Sequence, residues 1–137
     1  MSGLDQLLRL QRWTLDEKRR QAGELEQLID RLVKDILALE QQVAREIEAA
    51  RADIEMQRAL PNYREAMKER RKRLEKSMND LRAELAKLHD DITEAFSDLK
   101  KTEQTMKNRE QRQKLAERRR EQIISDEIGL QLHRRKG

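Results

Sequence analysis

The sequence has few of the residues on which most small domains rely for a compact core or for chemistry. It has no cysteine, one proline and four glycines among 137 residues, and only 2% of the residues are aromatic. The lack of cysteine excludes disulfides and thiol chemistry and is consistent with a reducing compartment. The four scattered glycines exclude a phosphate-binding loop of the GxxxxGK[ST] type.

Long apolar stretches are also missing. No run approaches the roughly 20 residues that a membrane-spanning helix needs. The start of the chain, Met1 to Asp5, lacks a basic segment followed by an apolar one, which a signal peptide would show. We therefore expect a cytoplasmic protein without direct membrane insertion.

Charged residues dominate what is present. They make up 42% of the chain and the mean hydropathy is −1.07, although the formal net charge is only +4. This composition fits either a disordered chain or a long solvated helix pair. Sustained heptad patterning of the apolar residues favours helices, because a disordered chain has no reason to keep them on one stripe.

Two heptad ladders form a candidate seam on either side of Leu60-Pro61. The first contains Leu4, Leu8, Gln11, Leu15, Lys18, Ala22, Leu25, Ile29, Leu32, Ile36, Leu39, Val43, Ile47, Ala50 and Ile54. The second contains Met67, Arg70, Leu74, Met78, Leu81, Leu85, Leu88, Ile92, Ala95, Leu99, Thr102, Met106, Arg109, Gln113 and Ala116. Each ladder skips phase once, and folding the chain near residue 60 places the two skips at the same level, with Val43 opposite Met78 and Ile47 opposite Leu74.

The fold predicted from this pattern is all-α: a long two-helix antiparallel coiled-coil hairpin that forms a single unit over residues 1–137. Proline lacks an amide hydrogen and disfavours a helical conformation in the residue before it, so Pro61 predicts a turn at about 58–62. Asn62 and Glu65 resemble a capping box at the start of a second helix. We expect helix 1 at about 3–59 and helix 2 at about 63–133.

The predicted seam is apolar in its centre and polar toward the chain termini, where Lys18 would face Thr102 and Gln11 would face Arg109. These polar layers either fray first or fix the register. The second helix also extends beyond the first, so that residues from about 119 to 137 form a C-terminal helical overhang. Its apolar residues indicate a surface that another molecule covers, and a loose amphipathic tail is the alternative.

No catalytic centre is recognisable. His89 and His133 lie far apart, and the carboxylates of Asp90, Asp91 and Glu94 near His89 would mostly point into water. We expect no enzymatic activity, no cofactor and no bound metal. Basic clusters at 68–73, 114–120 and 134–136 suit either phosphate backbones or a solvated, protein-contacting face. Interleaved acidic residues and the lack of aromatic platforms favour the second interpretation, so no nucleic-acid partner is expected.

Trp13 is the only tryptophan, and helical geometry turns it away from the seam. It is either an anchor for a partner or an isolated surface aromatic residue.

The chain resembles the FliJ/YscO family, the small coiled-coil proteins of the flagellar and related type III export ATPases. The similar segments are the leucine-led start (Leu4, Leu7, Leu8, Leu10), residues 15–20 (LDEKRR), Asn62-Tyr63, and the tail from Asp126-Glu127-Ile128 to Arg134-Arg135-Lys136. The resemblance implies a non-enzymatic stalk that inserts its terminal end into the hexameric export ATPase. It also implies contact with the cytoplasmic domain of the export gate at the inner membrane, and export chaperones as further partners.

The resemblance also suggests which residues make these contacts. The residues expected at the ATPase ring are Arg9, Arg12, Trp13, Arg118, Arg119, Arg120, Ile123, Ile124, Ile128, Arg134 and Arg135. The gate contact of the family falls near Ala66, Arg70, Arg73 and Ser77, which are mainly polar here, so Tyr63, Met67 and Arg70 are the candidates. A generic coiled-coil scaffold or adaptor remains the alternative function.

Overall fold

The structure is a computed structural model that describes residues 2–136. It contains two long helices, α1 (Gly3–Ala50) and α2 (Ile54–Lys136), which pack against each other, and no strand within the described residues. This confirms the all-α helical hairpin predicted from the heptad ladders. Neither helix has, within the same residues, a stretch long and apolar enough to cross a membrane.

The packing divides into two compact units. The first combines Met1–Trp13 with Ala95–Gly137, and the second is Thr14–Glu94, which contains the turn. In each unit a segment of α1 lies against a segment of α2.

The turn lies at residues 51–53, so the turn predicted at about 58–62 is wrong, and so are the helix boundaries beside it. Asp53 provides the N-cap of α2: its Oδ1 accepts hydrogen bonds from the backbone N–H groups of Glu55 (2.9 Å) and Met56 (3.3 Å). Pro61 lies inside α2. Because proline has no N–H group, the backbone carbonyl of Gln57 does not accept the helical hydrogen bond from residue 61.

The earlier turn has a packing reason. It makes Met56 and Leu60 part of α2, and these two residues and Tyr63 are half-buried. Together with Ala50, which is buried, they line a small groove beside the turn. Burying this apolar surface offsets the missing backbone hydrogen bond at Pro61.

Moving the turn also changes the register. In the Thr14–Glu94 unit, Leu25 and Leu88 line one groove, whereas the predicted partner of Leu25 was Ala95. Likewise Val43 shares a groove with Met67 and not with Met78. The predicted pairing is therefore wrong by about one heptad at Leu25, and near the phase skips it is displaced in the same direction.

The faces predicted to form the seam are nevertheless the ones that pack. Every seam residue of the first ladder from Leu4 to Ala50 is buried or half-buried, and only Ile54 is exposed. On α2 the packed positions run from Met67 to Met106, except Arg70, which is exposed. Arg71 faces α1 instead, with its Nη2 2.7 Å from Oε1 of Glu40.

Candidate functional site

The C-terminal part of α2 is a long exposed helical segment. Met106 is the last half-buried residue, and every residue from 107 to 136 is exposed. We call residues 107–136 the C-terminal arm. It begins about twelve residues earlier than predicted because the turn is earlier, and the seam positions predicted at Arg109, Gln113 and Ala116 belong to it.

Apolar side chains lie on two sides of the arm. Successive residues of a helix are about 100° apart, so Ile124, Ile128 and Leu132 form one stripe. Leu115, Ile123 and Leu130 form a second stripe on nearly the opposite side. Each of the six is at least half exposed, from 50% for Leu115 to 59% for Ile123. An ordinary amphipathic helix has one such stripe, so the arm is suited to contacts from more than one direction.

The arm also carries the positive charge of the chain. It contains ten lysines and arginines against five acidic residues, a net charge of +5, while the whole chain has +4. Arg118, Arg119 and Arg120 are consecutive and so project in three directions around the helix. Within residues 2–136, none of the basic side chains of the arm forms an ion pair.

The candidate residues on α1 lie at a different level. Arg12 Nη2 is 3.9 Å from Oε1 of Glu103, and Trp13 is 64% exposed and points away from the seam, as predicted. Arg118 follows Glu103 by fifteen residues, about 22 Å along α2. Arg9, Arg12 and Trp13 are therefore not in one patch with the candidates of the arm.

The gate candidates belong to the other unit, and two of them face α1. Tyr63 lines the groove beside the turn with Glu46 and Ala50, and its hydroxyl group is buried without a hydrogen-bond partner among the described residues. Met67 lies against Leu39 and Val43. Arg70 is the one candidate of the three that is exposed.

A groove between Val43 and Met67 in this unit was not foreseen from the sequence. It has a volume of about 550 Å³, an apolar floor that includes Leu39, Val43 and Met67, and a charged rim that includes Arg71. The guanidinium group of Arg71 donates to Glu75 and lies beside Glu40, and these two carboxylates raise its pKa. The groove depends on the register, which the heptad pattern alone did not give.

Comparison with known protein families, with curated proteins and with solved structures gives no match.

Proposed function

We propose that this protein is a non-enzymatic stalk of a type III protein export ATPase, of the flagellar kind, that couples the ATPase ring to the export gate. The observation that carries the proposal is the C-terminal arm, an exposed helix with apolar residues on two sides and a net charge of +5. The resemblance of the leucine-led start and of the tail to the FliJ/YscO family supplies the identity of the ring.

A ring suits this arm better than a flat surface does. A helix that docks in a single groove needs one apolar stripe, whereas a helix inside a pore is contacted all around. Isoleucines on opposite sides of the arm would both be covered in a pore. Arginines that project in three directions would meet acidic side chains or backbone carbonyls of the surrounding subunits.

In this proposal the chain does no chemistry of its own. The ATPase turns over ATP, and the helices transmit the effect to the cytoplasmic domain of the gate protein. Export chaperones are further proposed partners. The protein would work in the cytoplasm beside the inner-membrane export apparatus.

The test uses the full-length chain and the purified cognate ATPase. We expect the wild-type chain to be retained by the ATPase in a pull-down and to stimulate ATP hydrolysis. Reversing the charge of Arg118, Arg119 and Arg120 to glutamate should weaken retention, and the loss should be larger at low salt than at high salt because exposed charges are screened. Ile124→Asp with Ile128→Asp should weaken it at every salt concentration.

The matched control reverses Arg31 and Arg45, two exposed arginines of the other unit. These changes should leave retention and stimulation unchanged. If the ATPase neither retains the wild-type chain nor is stimulated by it, the protein is an adaptor for another assembly. If the arm variants stimulate as well as wild type, the arm is only a tail and its assignment to the ring is wrong.

The gate contact is proposed for the turn-proximal part of α2, which contains Tyr63, Met67 and Arg70. Since Tyr63 and Met67 already pack on α1, Arg70 offers the accessible group in the present register. Arg70→Glu should reduce binding to the cytoplasmic domain of the gate while leaving binding to the ATPase unchanged. If Arg70→Glu leaves binding to the gate domain unchanged, the gate contact lies elsewhere.

A further inference from the structure

We infer that the Thr14–Glu94 unit has two registers, and that α2 can be displaced along α1 by one heptad, about 10 Å. In the second register the turn moves from residues 51–53 to about 58–62. The inference concerns the hairpin itself and does not depend on the proposed function.

The first observation is that both registers use the same faces. The residues of α1 that pack in the structure, from Leu15 to Ile47, are those that a hairpin folded at Pro61 would also pack. The same holds for Leu74, Met78, Leu81, Leu85, Leu88 and Ile92 on α2. A shift by one heptad restores the a and d positions, so neither helix has to rotate over these residues.

The second observation is that the chain contains two separate turn signals. Asp53 caps α2 in the structure through two backbone N–H groups. Eight residues later, Leu60-Pro61-Asn62 with Glu65 is a second turn and capping signal, which the structure leaves unused within α2. Pro61 therefore costs stability in the first register and none in the second.

The third observation concerns the phase skips. In the second register the skip near Val43 lies level with the skip near Leu74, and matched skips are accommodated best. In the structure the two skips lie at different levels. The open groove of about 550 Å³ between Val43 and Met67 lies at the skip of α1.

The core of this unit is thin enough for the two registers to compete. No residue of α2 from 54 to 94 is fully buried, and on α1 the buried residues are Leu15, Ala22, Ile29, Leu39 and Ala50. The second register would cover Ile54, which is 68% exposed now, and would uncover Met56 and Leu60. The ion pair of Glu40 with Arg71 and the 4.0 Å approach of His89 Nε2 to Glu26 Oε1 mark the first register, and both are exposed. Exposed contacts of this kind contribute little to stability.

Cysteine pairs can report each register directly, because the chain has no cysteine of its own. Leu25→Cys with Leu88→Cys reports the first register, since both residues line one groove. Leu32→Cys with Leu88→Cys reports the second register, in which Leu32, and not Leu25, lies opposite Leu88. Lys18→Cys with Leu88→Cys is the matched control, because it would require a shift in the opposite direction.

We expect both leucine pairs to form intramolecular disulfides under mild oxidation in dilute solution, and the Lys18 pair to form none. A disulfide needs Cα atoms within about 7 Å, and one heptad is longer than this distance. Each leucine pair can therefore form its disulfide in one register only. If the Leu32 pair reacts no faster than the control, the hairpin has one register and the inference fails. It also fails if the Leu25 pair does not form, because the first register is then not populated.

Two variants outside the reporting pairs test the exchange of turns. Asp53→Ala removes the N-cap of α2 in the first register. Because the loss of a typical N-cap shifts an equilibrium about fivefold, the disulfide of the Leu32→Cys, Leu88→Cys variant should form about fivefold faster. Pro61→Ala removes the cost of a proline inside α2 in the first register. The disulfide of the Leu32→Cys, Leu88→Cys variant should then form at least about tenfold more slowly. Rates that respond to neither change would show that the Leu32 pair reports local fluctuation and would overturn the two-register inference.

Discussion

Single residues at the helix starts cap the two helices. Ser2 precedes α1, and its Oγ accepts a hydrogen bond from the N–H of Asp5 (3.3 Å) and donates one to the Asp5 carboxylate (3.0 Å). The Asp5 carboxylate also accepts from the backbone N–H of Ser2 at 3.2 Å. This reciprocal capping box holds the pKa of Asp5 below its ordinary value, chiefly through the Ser2 side chain and then through its backbone.

Ser2→Ala should therefore raise the pKa of Asp5 toward its ordinary value. The capped carboxylate favours the helix above its ordinary pKa, and this contribution is lost as the pH falls through the lowered pKa of the folded state. An NMR titration of the Asp5 side-chain carbon measures the change. Glu17 is the internal control, because its pKa is lowered by Arg20 and should stay unchanged. An unchanged pKa of Asp5 would show that Ser2 does not cap α1.

Asp53 and Pro61 show why the turn was not predictable from local signals. Proline is a strong helix breaker by propensity, and Asn62 with Glu65 adds a capping pattern, so the sequence favours a turn near residue 60. The aspartate that caps α2 is a weaker signal, since aspartates occur throughout this chain. The position of the turn is decided by the burial of Met56, Leu60 and Tyr63. This burial depends on tertiary contacts, which local sequence patterns do not include.

At the scale of helices, the heptad pattern predicted which faces pack but not which residues face each other. The faces follow from a period that every layer repeats, so many residues contribute to the prediction. The pairing follows from the turn alone, and one misplaced turn moves every layer. The candidate residues of the arm were recognisable as exposed apolar and basic positions, whereas the groove at Val43 and Met67 required the register.

A matched pair of leucines on α1 tests the seam. Leu39 is 5% exposed and Leu37, two residues away on the same helix, is 52% exposed. Leu39→Ala should lower the free energy of unfolding by about 2 kcal/mol, the low end for a leucine in so thin a core. Leu37→Ala should change it by less than about 0.5 kcal/mol. Urea unfolding followed by circular dichroism measures both, and equal losses would contradict the assigned faces.

At the scale of the whole chain, packed and exposed segments are separated along the sequence. The residues up to Met106 supply every buried and half-buried position, and together their net charge is close to zero. The C-terminal arm supplies the net positive charge and a series of exposed isoleucines and leucines. Substitutions in the arm can therefore change this exposed surface without changing the seam.

Deleting residues 112–137 should therefore leave the folding of the remainder intact. No residue in that range is even half-buried among those described, so the thermal midpoint should move by less than about 2 °C. Under the proposed function, binding to the export ATPase should be lost in the same variant. Deleting residues 2–13, a shorter segment, is the control: it removes the half-buried Leu4, Leu8 and Gln11 and should lower the midpoint clearly. Circular dichroism melts of the three proteins make the comparison. A large drop for the C-terminal deletion alone would mean that the arm contributes to the stability of the fold, and the separation of packed and exposed segments would then be wrong.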